Sequence, residues 1–196
     1  MIIREEALKF LNANVPNKNI IKHMMATEAM MGALARKLKI DNGELKINEE
    51  EWKMAGLLHD GDYRPEIPVE KQGIRVTEML REKGFEVPEE TAHAMAAHNW
   101  HNTGIEPQSK MDWALFCGDS LTGLIVATCL VLPSKKLADV TVEMVLRRFG
   151  EKKFAAGTRR AEIALCEEKL GVSLPEFVEI TLKAMQGVSK ELGLYA

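Results

Sequence analysis

Four side chains in this sequence suit one another chemically: His23, the adjacent pair His59-Asp60, and Asp119. A neutral imidazole and a carboxylate are both ligands for a divalent ion of the Mn, Fe, Co, Ni or Zn type. Converging in an apolar interior, two of each would hold one ion and leave positions for water and substrate. Each has an ordinary alternative. A histidine among Ile20, Met24 and Met25 is usually a hydrogen-bonded core residue, and His59-Asp60 read alone is a histidine near a helix end beside a solvated aspartate. Against that, Ala55-Gly56-Leu57-Leu58 buries the approach to the pair, and a helix C-terminus favours a cation. Asp119 is the only formal charge between Trp113 and Ser134. Burying a lone carboxylate is costly unless something cationic meets it.

The elements that must position these groups are helical. Apolar residues recur at three- and four-residue spacing, and no stretch alternates in the manner of a strand. The expected fold class is therefore all-α, a helical bundle with a buried site. The pattern predicts helices over 3–13, ended by Asn14-Val15-Pro16, and over 19–38, ended by Asp41-Asn42-Gly43. A third opens with Asn48 and Glu51 as a capping box, carries the His-Asp pair at its end, and stops at Gly61. Helices over 69–83 and 88–99 follow, then a polar loop from Trp100 to Gln108. Ser109 and Asp112 cap the apolar helix of Asp119, which Pro133-Ser134 ends. Segments 135–149 and 158–170 and a last helix opened by Ser173 and Pro175 complete the chain. Residues 1–134 read as the metal-binding core, and 135–196 as helices packed on it, in the same domain or as a small lobe.

The chain of 196 residues, 46% hydrophobic and 28% charged, suits one soluble domain with a substantial core. A net charge of −3 without a basic stripe gives no reason to expect nucleic acid as a partner. The uncharged stretch around Asp119 has the length of a membrane span. Gly118, Ser120, Thr122, Gly123 and Thr128 within it fit a buried core helix better, so no membrane is expected. Cys117, Cys129 and Cys166 form no CxxC pair, and the first two lie about 18 Å apart along one helix. Reduced core thiols and a start without the form of a signal peptide make the expected compartment the cytoplasm.

The order His23, His59-Asp60, Asp119 resembles that of the HD superfamily of metal-dependent phosphohydrolases, closest to a small helical subgroup of predicted HD hydrolases. The phrases Leu57-Leu58-His59-Asp60, Ala96-Ala97-His98-Asn99 and Asp119-Ser120-Leu121-Thr122-Gly123-Leu124-Ile125 carry it, joined by Ser134-Lys135-Lys136-Leu137 and Phe154-Ala155-Ala156-Gly157. The resemblance implies an HD-type core in which His23, His59, Asp60 and Asp119 hold the metal. It also implies that His98 binds substrate phosphate or a second metal. Where dinuclear members place a histidine before a glycine, this chain has Gln72-Gly73, and a neutral amide is a poor ligand. One divalent ion is therefore expected rather than two. Asp60, or Asp62 nearby, would accept a proton, and Asp62 reads equally as an acceptor orienting a ligand histidine or as a turn residue. Lys135, Lys136, Arg159 and Arg160 are candidates for steadying phosphate, each with a solvated surface as its alternative. His93 and His101 read as surface or loop histidines. The function implied is hydrolysis of a small phosphorylated metabolite, such as a nucleotide, by metal-activated water. The alternatives are a di-iron oxygenase, against which Gln72 argues, and a non-catalytic nucleotide or metal sensor. Oligomeric state is not readable from the sequence.

Overall fold

The computed structural model describes residues 2–42 and 47–195, and every regular element among them is helical. The first, α1 (Arg4–Asn14), stops where Val15 turns extended ahead of Pro16. The second, α2 (Lys18–Asn42), continues four residues past the expected end. Its expected stop, Gly43, lies outside the described residues. Helix α3 (Glu49–Leu58) begins at Asn48, whose side chain accepts from the Glu50 N–H and donates to the Glu51 carboxylate. The cap is real, but it is not the reciprocal box that the spacing predicts.

Helix α3 also ends differently. His59 and Asp60 follow its last turn, and Gly61 N–H bonds the Leu58 carbonyl without a left-handed residue. The continuous helix expected over 69–83 is divided in two. A 3-10 turn (Val69–Lys71) precedes Gly73 at φ +88°, and α4 (Arg75–Glu82) starts beyond it. A side chain at position 73 would meet the Met95 carbonyl at 2.3 Å, so glycine is required twice over. Helix α5 (Glu89–Ala97) matches its expected range. The polar segment after it contains a single turn, α6 (Trp100–Thr103).

Helix α7 (Lys110–Leu130) carries the complete Ser109/Asp112 capping box. It is long and apolar enough to cross a membrane, yet 61% of its most apolar window is buried within the protein. That is the pattern of a core helix. The remaining chain breaks into shorter pieces than expected: α8 (Val142–Gly150), α9 (Arg160–Ala164), α10 (Cys166–Leu170), α11 (Leu174–Gly187) and α12 (Ser189–Leu192). Gly171, in the left-handed region, separates α10 from α11.

Two apolar clusters organise the interior. One joins α1, α3, α4 and α5 to the start of α2 through Phe10, Leu11, Met24, Leu57, Leu58 and Met95. The other joins the rest of α2 to α7 and the later helices through Met30, Leu34, Phe116, Phe177 and Met185. Residues after 134 therefore share a core with α2 and α7 rather than forming a lobe of their own. Cys117, Cys129 and Cys166 are buried free thiols. His23 stands on α2 between Ile21 and Met24 of the first cluster and Ala26 of the second, where the two meet.

Candidate metal centre

The approach of α2 to α3 sets the first half of the site. Gly56 lies so close to α2 that a Cβ there would meet the Thr27 carbonyl at 2.8 Å. This contact places His59, three residues on, beside His23. Their Nε2 atoms are 3.2 Å apart, with ring centroids separated by 5.1 Å. Asp119, near the middle of α7, reaches the same point. Its Oδ1 lies 2.8 Å from His23 Nε2 and 3.8 Å from His59 Nε2. Asp60 Oδ2 is 3.6 Å from His59 Nε2, and its Oδ1 is 3.4 Å from His98 Nε2. The four expected ligands and His98 thus form one group.

The other ring nitrogen of each histidine has a fixed partner. His59 Nδ1 lies 2.8 Å from the Gly56 carbonyl and His98 Nδ1 2.5 Å from the Met95 carbonyl. A carbonyl only accepts, so both Nδ1 atoms carry the proton. His23 Nδ1 lies 3.1 Å from Thr122 Oγ1, whose own hydrogen goes to the Asp119 carbonyl at 2.8 Å. The Thr122 oxygen is therefore left to accept from Nδ1–H. All three imidazoles present Nε2 to the carboxylates. Two Nε2 lone pairs at 3.2 Å repel unless a proton or a metal ion lies at that point, and this donor set fits a divalent cation of the kind named above.

Burial and the two carboxylates set the electrostatics of the group. Burial pushes the His59 imidazolium down to about 4, so that ring is neutral near pH 7. Burial acts the same way on His23, but the hydrogen bond and charge of Asp119 more than offset it and raise that group. His98 is raised in the same manner by Asp60. Burial alone would raise both carboxylates. The surrounding imidazoles instead hold Asp60 at about 2 and Asp119 well below the usual range.

The remaining candidates divide. Asp62 is fully buried, and its carboxylate accepts from the main-chain N–H of Gly73 (2.9 Å) and Val76 (2.8 Å). It pins the start of α4, and among the described residues its hydrogen bonds go to main-chain N–H groups and not to a histidine. Gln72 donates its side-chain amide to the Ile67 carbonyl. Lys135 and Lys136 are exposed in the turn after α7 and do not line the site. Arg159 donates to Asp119 Oδ2 at 3.0 Å and pairs with Glu162 at 3.0 Å, so it holds the Asp119 carboxylate rather than standing free. Arg160 turns inward, its guanidinium donating to the carbonyls of Phe154 (2.6 Å), Phe149 (2.8 Å), Glu151 (3.0 Å) and Arg148 (3.2 Å). It is a staple for the preceding loop, which corrects its reading as a phosphate contact. His93 pairs with the buried Asp112 away from the site. His101 is not a bare loop histidine, since its Nε2 lies 2.5 Å from the buried Glu162.

Sequence reasoning missed Thr122 and Glu162. Thr122 sits three residues after Asp119, on one helix face with it, and that spacing was the available signal. Glu162 becomes meaningful only once the loop has folded back.

The site opens into a cleft of about 430 Å³. His23, Asp60, Tyr63, Asp119 and Ser120 form one wall, and residues 155–158 form the other. An adjoining pocket of about 530 Å³ shares His23 and Gly123 with it and is lined by Lys22, Val126, Leu130 and Leu194. No family model, curated protein or solved structure matches the chain.

Proposed function

We propose that this protein is a metal-dependent phosphohydrolase of the HD type, acting on a small phosphorylated metabolite such as a nucleotide. One observation carries the reading. His23 and His59 aim their Nε2 atoms at one point, beside Asp60 and Asp119, with both Nδ1 protons already committed. His23, His59, Asp60 and Asp119 would hold one divalent ion. Such an ion, when bound, lowers the pKa of water and draws electron density from a phosphoryl oxygen.

The chain's own groups do the rest. His59 and, after it, His98 favour the ionised form of Asp60, and His98 Nε2 lies against its Oδ1 at 3.4 Å. Thr122 fixes the His23 tautomer, and Arg159 holds the outer oxygen of Asp119. His98 itself is buried behind Asp60 and does not line the cleft, which favours a positioning task over direct phosphate contact. The adjoining pocket has the size and mixed lining that accept the organic part of a nucleotide or sugar phosphate.

The test is phosphate release from a panel of phosphorylated metabolites with added Mn²⁺ or Co²⁺, repeated with chelator and with Asp60→Ala. Metal-dependent release that disappears in the variant is expected. Bound metal with no release from any phosphoester would overturn the hydrolase and leave a metal-holding sensor.

A further inference from the structure

The cleft wall opposite the metal ligands contains no charged side chain among residues 155–158, yet its backbone is unusual. Ala155 sits at φ +43°, a left-handed conformation that costs a residue with a Cβ about 1 kcal/mol or more. Something must hold it there, and Arg160 does. Its guanidinium takes the Phe154 carbonyl at 2.6 Å and approaches the Ala155 carbonyl at 3.4 Å. In a trans peptide the N–H points opposite to the carbonyl, and these peptides are trans. The Ala155 and Ala156 N–H groups therefore point away from Arg160. Among the described residues, neither they nor the Gly157 N–H have a hydrogen-bond acceptor, although Phe154 N–H and Thr158 N–H both do.

We propose that the main-chain amides of Ala155, Ala156 and Gly157 form an anion cradle that receives the phosphoryl group of the substrate. Successive amides flanking a left-handed residue make the concave arrangement that binds anions. Lys152 and Lys153, exposed in the same loop, add positive potential at the approach. His23, Asp60 and Asp119 line the same cleft as residues 155–158, so a phosphoryl group held by the cradle would share that cleft with a cation bound by the first three. As a phosphoryl subsite, the cradle rests on the phosphohydrolase reading above; as an anion site, it can be tested alone.

The probe is inorganic phosphate, titrated by calorimetry into the intact protein with and without Mn²⁺, while bound metal is measured separately. Gly157→Asp and Ala156→Glu place a carboxylate at exposed positions of the cradle, and no neighbouring atom obstructs a Cβ at 157. Both are expected to weaken phosphate binding at least tenfold with metal content unchanged. Ala155→Gly keeps every amide and should bind phosphate like the wild type; this controls for a loop that merely unfolds. Phosphate binding that both acidic variants leave intact overturns the cradle and spares the metal site. If the protein binds no metal, the metal reading fails by itself. Loop-dependent phosphate binding to that metal-free protein would still support the cradle, and no phosphate binding at all would overturn it.

Discussion

The two walls of the cleft are built by opposite means. The wall of His23, Asp60 and Asp119, backed by the buried His59 and His98, is made of side chains projecting from helices or their ends, and each imidazole is fixed by a hydrogen bond through Nδ1. The wall of residues 155–158 is a loop between α8 and α9, exposed at Ala156 and Gly157, and one arginine holds its backbone. The first gathers carboxylates and Nε2 lone pairs, which suit a cation. The second offers N–H groups, which suit an anion. A rigid, buried setting serves a metal because ligand geometry must be preset. A shallow backbone loop serves an anion that must enter and leave.

The largest expected effect tests the first wall. His59→Gln removes a proposed ligand whose ring is fully buried and fixed on Gly56. Affinity for Co²⁺ or Mn²⁺ should fall by more than about 100-fold, beyond the range seen on losing an outer-sphere partner. Metal content after dialysis measures it. Wild-type metal loading in this variant would mean that the histidine group is an ordinary buried hydrogen-bonded cluster, and the contrast between the walls would vanish.

The next effect tests the second wall. Arg160→Met keeps most of the apolar stem but removes the side-chain donor from the carbonyls of Phe149 and Phe154, and leaves those of Arg148 and Glu151 with their main-chain donors alone. A loss of about 2 kcal/mol is expected in urea unfolding, since hydrogen bonds to a charged group contribute more than neutral ones. Metal binding should stay near wild type apart from a small change through Asp119, because Arg159 is the neighbouring residue. An equal collapse of metal affinity would show that the two walls are one cooperative unit.

A finer distinction lies within the first wall. Thr122→Val keeps the shape but removes the oxygen that accepts from His23 Nδ1–H. Metal affinity should fall about tenfold. The melting temperature should change little, because the Thr122 hydroxyl's other bond returns to its own helix. A drop in stability without a change in metal affinity would reassign Thr122 to packing.

The walls also differ in how readable they are from sequence. His23, His59, Asp60 and Asp119 declare themselves by residue type, since a charge in an apolar helix needs a reason; helical periodicity turns the apolar sides of α2 and α3 inward, and α7 is apolar enough all round to be buried whichever way it turns. Their convergence needs Gly56, whose small size is visible but whose partner on α2 is not. The second wall is nearly silent. Phe154-Ala155-Ala156-Gly157 has no chemistry in its side chains, and Arg160 looks like a free cation until the carbonyls around it are seen. Asp62 misleads for a related reason, because an aspartate beside a ligand pair resembles a proton acceptor, while its task is to cap main-chain N–H groups eleven and fourteen residues away. Local patterns show donors and acceptors but not which main-chain group they will meet.

The smallest expected effect concerns the strain that the second wall carries. Ala155→Gly removes the Cβ that makes φ +43° unfavourable, worth about 1 kcal/mol. It also frees the unfolded chain, which costs about as much in the other direction. The net change in unfolding free energy should therefore stay within about 1 kcal/mol. Ala155→Val has no such compensation, because a β-branched residue tolerates positive φ poorly, and it should lose about 2 kcal/mol. If valine were accepted as readily as glycine, the loop would be free to leave the left-handed conformation. Arg160 would then not be holding it, and the second wall would be a passive surface beside a metal site rather than its counterpart.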